Sequence, residues 1–244
     1  MPLRVVRSGA LPPALNMGLD EALLVTPGPS TLRLYSWDPP GVSLGYFQAS
    51  GPAAAVTERH DLVRRLTGGG AIHHDREITF ALTADLDLVP HGVEDLYVLI
   101  HDAVASALRR CGVAARRVPG GPPTKPRPDE WWCFAQAGAF DLVTPEGRKI
   151  VGSAQRRTRR PHRRVLHHGS VVLSVPSGTP GCGAVDQQAD LAQVTPTLWR
   201  ALPDEIANAL GLPGVTATLT QTETALGEEL ARTRYDDDAF TLRR

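Results

Sequence analysis

Apolar positions in the chain recur with two periods. Leu96, Leu99, Ile100, Ala103, Val104, Ala107, Leu108 and Cys111 follow the i, i+3, i+4, i+7 spacing of one helix face, so Glu94–Cys111 is predicted helical with Gly112 as its stop. Cys111 falls on that buried stripe, where a thiol behaves as a small apolar group. A second helix is predicted over Met17–Leu24, with Asn16 as its N-cap and Asp20 and Glu21 favouring its N-terminus. Alternation of apolar and polar residues predicts strands at Thr31–Trp37, Val42–Phe47 and Glu77–Thr83. Ala139–Thr144, a Pro145-Glu146-Gly147 turn and a strand from Lys149 read as a hairpin, and Val165–Val175 as another strand. Pro119–Pro128 reads as loop, and two short helices are expected near Trp199–Leu210 and Glu223–Thr233. Without strict βαβ alternation, the expected class is α/β (α+β), a mixed β-sheet with packed helices.

Composition narrows the picture. The apolar fraction of 42 % and charged fraction of 21 % are ordinary for a protein with a sizeable core. Basic and acidic residues balance at 26 each, so no global charge favours nucleic acid or a membrane surface, and neither partner is expected. Three widely spaced cysteines do not make a disulfide framework, and no apolar run approaches a membrane span. A reduced, cytoplasmic setting is expected. Among the basic residues only Lys125 and Lys149 are lysine, which draws attention to any site needing an amine.

Three segments carry candidate chemistry. In Arg64-Arg65-Leu66-Thr67-Gly68-Gly69-Gly70-Ala71-Ile72-His73-His74-Asp75 the glycines let backbone N–H groups approach a ligand, and the two arginines are candidates to hold an anion. Taken alone, a glycine-rich turn with solvated arginines fits as well, and neither the P-loop nor the G-x-G-x-x-G pattern is present. In Gly147-Arg148-Lys149-Ile150-Val151-Gly152-Ser153-Ala154-Gln155, a turn holds the Lys149 amine at a fixed place, and Gly152, Ser153 and Ala154 are candidates to pass a substrate chain along backbone. Taken alone, a hairpin lysine with no role is the plainer reading. In His167-His168-Gly169-Ser170 the two imidazoles point to opposite faces of a strand and do not chelate together, so no metal site is expected.

The order and spacing of Asn16–Leu24, Arg64–Asp75, Lys149–Gln155 and His168–Leu173 resemble the superfamily of lipoate–protein ligases, octanoyltransferases and biotin ligases. The glycine block and the Lys149 block point to its lipoate/octanoate branch. This resemblance covers about residues 10–175. It implies a biotin/lipoate ligase-type catalytic domain related to the class II aminoacyl-tRNA synthetase core. A single domain is expected over residues 1–244, with a helical segment near 190–244 and no full accessory domain. The acyl or substrate site it implies comprises Arg64, Arg65, Gly68, Gly69, Gly70, Ala71, His74, Gly152, Ser153, Ala154, His168, Gly169 and Ser170.

Cys133-Phe134, ahead of Lys149, is similar to the Cys-Phe element of the cysteine-dependent octanoyltransferases. That similarity implies a Cys133 thioester that takes octanoate from acyl carrier protein and passes it to a lysine of a lipoyl domain or of a glycine-cleavage H-type protein. No cofactor is expected in that case. Cys133 and Lys149 are the expected catalytic pair, since an ammonium beside a thiol favours the thiolate and steadies an oxyanion. Backbone N–H groups near Gly152–Ala154 are candidates to assist. Three alternatives stand: an ATP- and Mg-dependent lipoate ligase that needs a separate accessory chain, an amidotransferase acting between lipoyl-type domains, and a non-enzymatic carrier-binding module. Arg156, Arg157, Arg159, Arg160, Arg163 and Arg164 form a basic stretch that is a candidate for steering acidic carrier domains, with a solvated loop as the plain reading. Cys182 is expected to be incidental, and His167 stands where the family often has glutamine.

Overall fold

A computed structural model describes residues 2–51, 61–121, 131–179 and 181–243. Lys125, most of the Pro119–Pro128 loop, and Asp129 and Glu130 lie outside the described residues. In chain order the elements are β1 (Leu3–Leu11), α1 (Pro13–Val25), β2 (Thr31–Trp37), β3 (Gly41–Leu44), β4 (Asp61–Arg64), β5 (Ile72–His74) and β6 (Glu77–Asp85). There follow α2 (Val93–Arg110), β7 (Arg116–Arg117), β8 (Leu142–Val143), β9 (Lys149–Arg157), β10 (Arg164–Val172), α3 (Leu191–Ala209), β11 (Gly214–Ala217), α4 (Gln221–Leu230) and the short α5 (Asp238–Thr241).

Among the described residues, eight strands form one mixed sheet in the order β11-β1-β2-β6-β10-β9-β8-β7, and β4-β3-β5 form a second, small sheet. The pleat divides the apolar side chains between two layers. Leu32, Leu34, Ile78, Phe80 and Leu82 pack with α2 and α3 on one face. Tyr35, Ala81 and Leu166 pack with Met17 and Leu24 of α1 and with Ala231 and Tyr235 on the other. The expected mixed sheet with packed helices is therefore the observed architecture, with helices on both sides.

Several local expectations are corrected. α1 starts at Pro13, at the position where a missing N–H costs nothing, and Asn16 is not its cap. The Asn16 amide is buried inside the helix, donating to the carbonyls of Leu11 and Ser36 and accepting from Arg33. Asp20 and Glu21 are likewise spent on tertiary contacts rather than on the helix end. Asp20 pairs with Arg33 at 2.9 Å, and Glu21 accepts from Tyr235 at 2.9 Å. Val42–Phe47 shortens to Gly41–Leu44, because Gly45 and Tyr46 turn away to meet the glycine loop. The helix expected at Trp199–Leu210 begins at Leu191, capped by Asp190, and tolerates Pro196 and Pro203. Cys111 ends α2 only partly buried, and Gly112, at φ 75°, supplies the predicted stop. No helix among the described residues is long and apolar enough to cross a membrane.

Candidate functional site

A narrow cleft with about 430 Å³ of empty space, open solvent at its mouth included, lies on the α1 side of the sheet. Eleven of the sequence-selected residues line it: Arg65, Gly68, Gly69, His74, Cys133, Gly152, Ser153, Ala154, His168, Gly169 and Ser170. Met17, Tyr35, Trp37, Ser43, Ile72 and Thr79 complete the wall and were not selected from sequence, because alternation shows them only as core positions. Arg64, Gly70, Ala71 and Lys149 stand behind the lining.

The glycine block holds the cysteine segment. Ala71 pairs in parallel with Trp132, its N–H donating to Trp131 O at 2.9 Å, while Cys133 N–H donates to Ala71 O at 2.8 Å. A Cβ on Gly70 would lie 2.9 Å from Trp131 O, so only glycine admits this backbone. Gly69 has φ 96°, and a Cβ there would meet Arg65 Nη2 at 2.8 Å. Gly70 thus seats a chain segment of the protein itself, while Gly68 and Gly69 line the cleft. The two arginines, offered by the sequence as candidates to hold an anion, both donate to backbone carbonyls. Arg64 is buried outside the cleft and donates to the carbonyls of Thr241, Gly45 and Gln48. Arg65 donates to Ser43 O, Gly68 O and Gly70 O, and burial pushes it down to about 10 despite the opposing influence of Cys133. Loop carbonyls without strand partners need donors, and a guanidinium supplies several at once.

Lys149 and Cys133 are brought together. Lys149 Nζ lies 3.4 Å from Cys133 Sγ, 3.2 Å from Cys133 O and 2.8 Å from Asp141 Oδ2. Burial alone would push this amine down, but Cys133 and Asp141 outweigh it and hold Lys149 above the ordinary lysine value. It is therefore a fixed ammonium positioned to stabilise negative charge at the sulfur. Asp141 was missed from sequence. It sits in the predicted hairpin with no motif around it, and only the β8–β9 pairing carries it to Lys149. Phe140, just before it, takes the left-handed conformation at φ 70°.

Gly152 provides the space for the ammonium. A Cβ there would lie 2.4 Å from Lys149 Cε and 2.8 Å from Nζ. Gly152→Ala is expected to leave folding nearly intact, because the flexible lysine end can move, while lowering activity at least about tenfold by displacing Nζ from the sulfur (an effect equivalent to about 1.4 kcal/mol). Kinetics alongside a thermal melt will check this; unchanged turnover would argue against the placement.

His168 and His74 are structural links. His168 bridges Asp20 and Thr67 at 3.2 and 2.6 Å. His74 bridges Glu77 and Ser43 at 2.9 and 2.7 Å and stacks on Trp37, and its burial, only partly offset by Glu77, lowers it. Ser170 donates to Glu77, and Ser153 bonds His101 Nε2 at 2.7 Å. His167 points to the opposite face, as alternation requires. It is fully buried beside Tyr97 and His101, with neither ring nitrogen partnered among the described residues. Cys182 is less incidental than its turn suggested: it is buried, forms a bridge with Lys149, and burial pushes its thiol up to about 12. The basic stretch is partly structural. Arg157 binds the carbonyls of Pro90, His91 and Gly92, Arg164 is buried against Gly28 and Asp85, and Arg159 and Arg160 remain exposed.

The lipoyl protein ligase A/B catalytic domain family matches residues 12–181, a span that contains the whole cleft. The chain belongs to this family. Within it, similarity runs to the octanoyltransferase LipM of Brevibacillus brevis, 31 % identical across 99 % of both chains. That of Moorella thermoacetica is 39 % identical over 70 % of this chain and 65 % of its own. The fold is also that of lipoate–protein ligase A bound with ATP, with TM-score 0.76 and 22 % identity across 99 % of both chains. A bi-partite lipoate protein ligase of Thermoplasma acidophilum shares it too, with TM-score 0.70 and 20 % identity over 99 % of this chain and 95 % of that one.

Proposed function

We propose that the protein is an octanoyltransferase of protein lipoylation, moving the acyl group from acyl carrier protein to a lysine of a lipoyl domain or H-type acceptor through a Cys133 thioester. The observation that carries this reading is the Lys149 ammonium 3.4 Å from a half-buried cleft thiol, with Asp141 holding the amine in place. The octanoyltransferase relatives, similar over the full length, support it.

In the first step Cys133 sulfur bonds the carrier's thioester carbon, and the carrier thiolate leaves and takes up a proton. Negative charge on the attacking sulfur and on the tetrahedral oxygen falls beside Lys149. In the second step the acceptor amine bonds the same carbon, sheds a proton to solvent, and expels Cys133 thiolate back to the ammonium. Neither step needs ATP. An ATP-dependent ligase would want cationic groups for a triphosphate at the glycine loop, whereas Arg64 and Arg65 there are engaged with backbone carbonyls.

The deciding assay offers the acceptor domain three donors in parallel: octanoyl carrier protein, octanoate with ATP and Mg, and an octanoylated donor domain. Acceptor octanoylation from the carrier alone is expected. Product only with ATP would make the protein a ligase, and product only from the donor domain would make it an amidotransferase. Carrier binding without turnover would leave a binding module.

A further inference from the structure

One buried histidine reaches the Lys149–Cys133 pair through a short run of backbone. His101, on α2 and fully buried, sets Nδ1 2.6 Å from Phe140 O and Nε2 2.7 Å from Ser153 Oγ. A carbonyl only accepts, so Nδ1 carries the hydrogen and donates to Phe140. Nε2 is then an acceptor, and the Ser153 hydroxyl donates to it. Burial holds the imidazole below its ordinary value although the Phe140 carbonyl opposes it, so the ring is uncharged at neutral pH. Each ring nitrogen thus has its own partner, and together they fix one tautomer and one orientation.

Phe140 is a residue that needs holding. Among the described residues it alone of the non-glycines has a positive φ, at 70°. A bulky residue keeps such a backbone only where its surroundings fix it. Its N–H donates to Val118 O at 3.1 Å, and α2 supplies the rest. His101 takes the carbonyl, and Tyr97, one turn earlier, stacks on the Phe140 ring with centroids 6.1 Å apart. The next residue is Asp141, whose Oδ2 accepts from Lys149 Nζ at 2.8 Å and from Gly138 N–H at 2.7 Å. The Phe140 carbonyl belongs to the planar peptide that carries the Asp141 nitrogen, so its direction sets where the Asp141 carboxylate stands. Lys149 Nζ in turn lies 3.4 Å from Cys133 Sγ.

We propose, on the octanoyl-transfer reading above, that His101 is a positioning residue: its Nδ1 hydrogen bond locks the Phe140 peptide and, through Asp141, keeps the Lys149 ammonium on the Cys133 sulfur. Ser153, which lines the cleft, fixes the tautomer from the other side of the ring. Both ring nitrogens are spent on these two partners, so His101 acts through geometry and carries no proton to or from the reaction.

His101→Asn and His101→Gln separate the two ring nitrogens. An asparagine amide reaches the place of Nδ1 and restores the bond to Phe140, whereas a glutamine amide reaches only that of Nε2. Cys133 is read in two ways in each variant. Intact-protein mass spectrometry follows acyl loading from octanoyl carrier, and peptide-resolved alkylation by iodoacetamide follows the thiolate without any substrate. His101→Gln is expected to load at least about tenfold more slowly, with KM for the carrier within about twofold and alkylation slowed in parallel, because a displaced charge acts on rate rather than on binding. His101→Asn should stay within about threefold of wild type by both readings, since the bond to Phe140 is remade. Equal losses in the two variants, or wild-type rates in a folded glutamine variant, overturn the role. Wild type supplies a check that needs no variant: NMR of the ring nitrogens should find the His101 proton on Nδ1, and a proton on Nε2 instead overturns the role. A wild type that is alkylated but never loaded overturns the transfer reading, and the alkylation rates of the variants still decide the part played by His101.

Discussion

Cys133→Ala is expected to lower octanoyl transfer from carrier to acceptor by on the order of 10³-fold or more, and to abolish the acyl-enzyme altogether. The reason is that, among the described residues, no other group at the mouth of the cleft combines a nucleophilic atom with the Lys149 ammonium. Cys182 is buried behind Lys149 with its thiol pushed up to about 12, so it cannot substitute. Ser153 and Ser170 are tied to His101 and Glu77. The substitution removes only Sγ. The backbone bond from Cys133 to Ala71 and the bridge to the glycine block remain, so loss of activity will not be confused with loss of fold. Cys133→Ser should form an oxygen ester that accumulates, because an alkoxide leaves less readily than a thiolate. Mass spectrometry of each variant after mixing with octanoyl carrier reads both outcomes. Full transfer by the alanine variant would end the thioester mechanism.

Lys149→Met is expected to cost on the order of 10²–10³-fold in rate, the usual loss when a fixed charge at a reacting centre is removed. It should also cost about 3–5 kcal/mol of stability, since Asp141 is left largely buried without its partner. The two losses have different origins and can be separated. Adding Asp141→Asn to Lys149→Met removes the stranded carboxylate, so stability should largely return while activity does not. If activity returns as well, the ammonium is not required. The pH behaviour follows from the direction of the Lys149 shift. Its folded value is raised above the ordinary 10.5, so the stabilising contribution is fully present below 10.5 and is lost only as pH rises through the higher folded value. Neither rate nor stability should show a lysine titration near neutrality, and a lysine-dependent loss of rate beginning below 10.5 would contradict the ion-pair geometry.

Local sequence carried the elements whose signal is periodic. Thr31–Trp37 came out residue for residue, and the long helix within one residue at either end, because apolar positions on a strand or helix repeat with the backbone's own geometry. The motifs likewise carried most of the cleft wall. Strand β1 (Leu3–Leu11), with Gly9 at φ 70°, and the short β4, β5 and β11 offered no such repeat, and they exist through pairing with distant partners.

What the sequence alone determined is the family, through a cysteine, a rare lysine and three small-residue blocks in a characteristic order. The tertiary structure decided what each block does. Asn16 became a buried tether rather than a cap, Arg64 and Arg65 became donors to backbone carbonyls, and Gly70 became the seat of the Cys133 segment. The place of Asp141 beside Lys149 could not be read along the chain, because it depends on which strands lie side by side and in what register. That pairing is set by burial across the whole sheet, and periodicity within a segment carries no information about its neighbour.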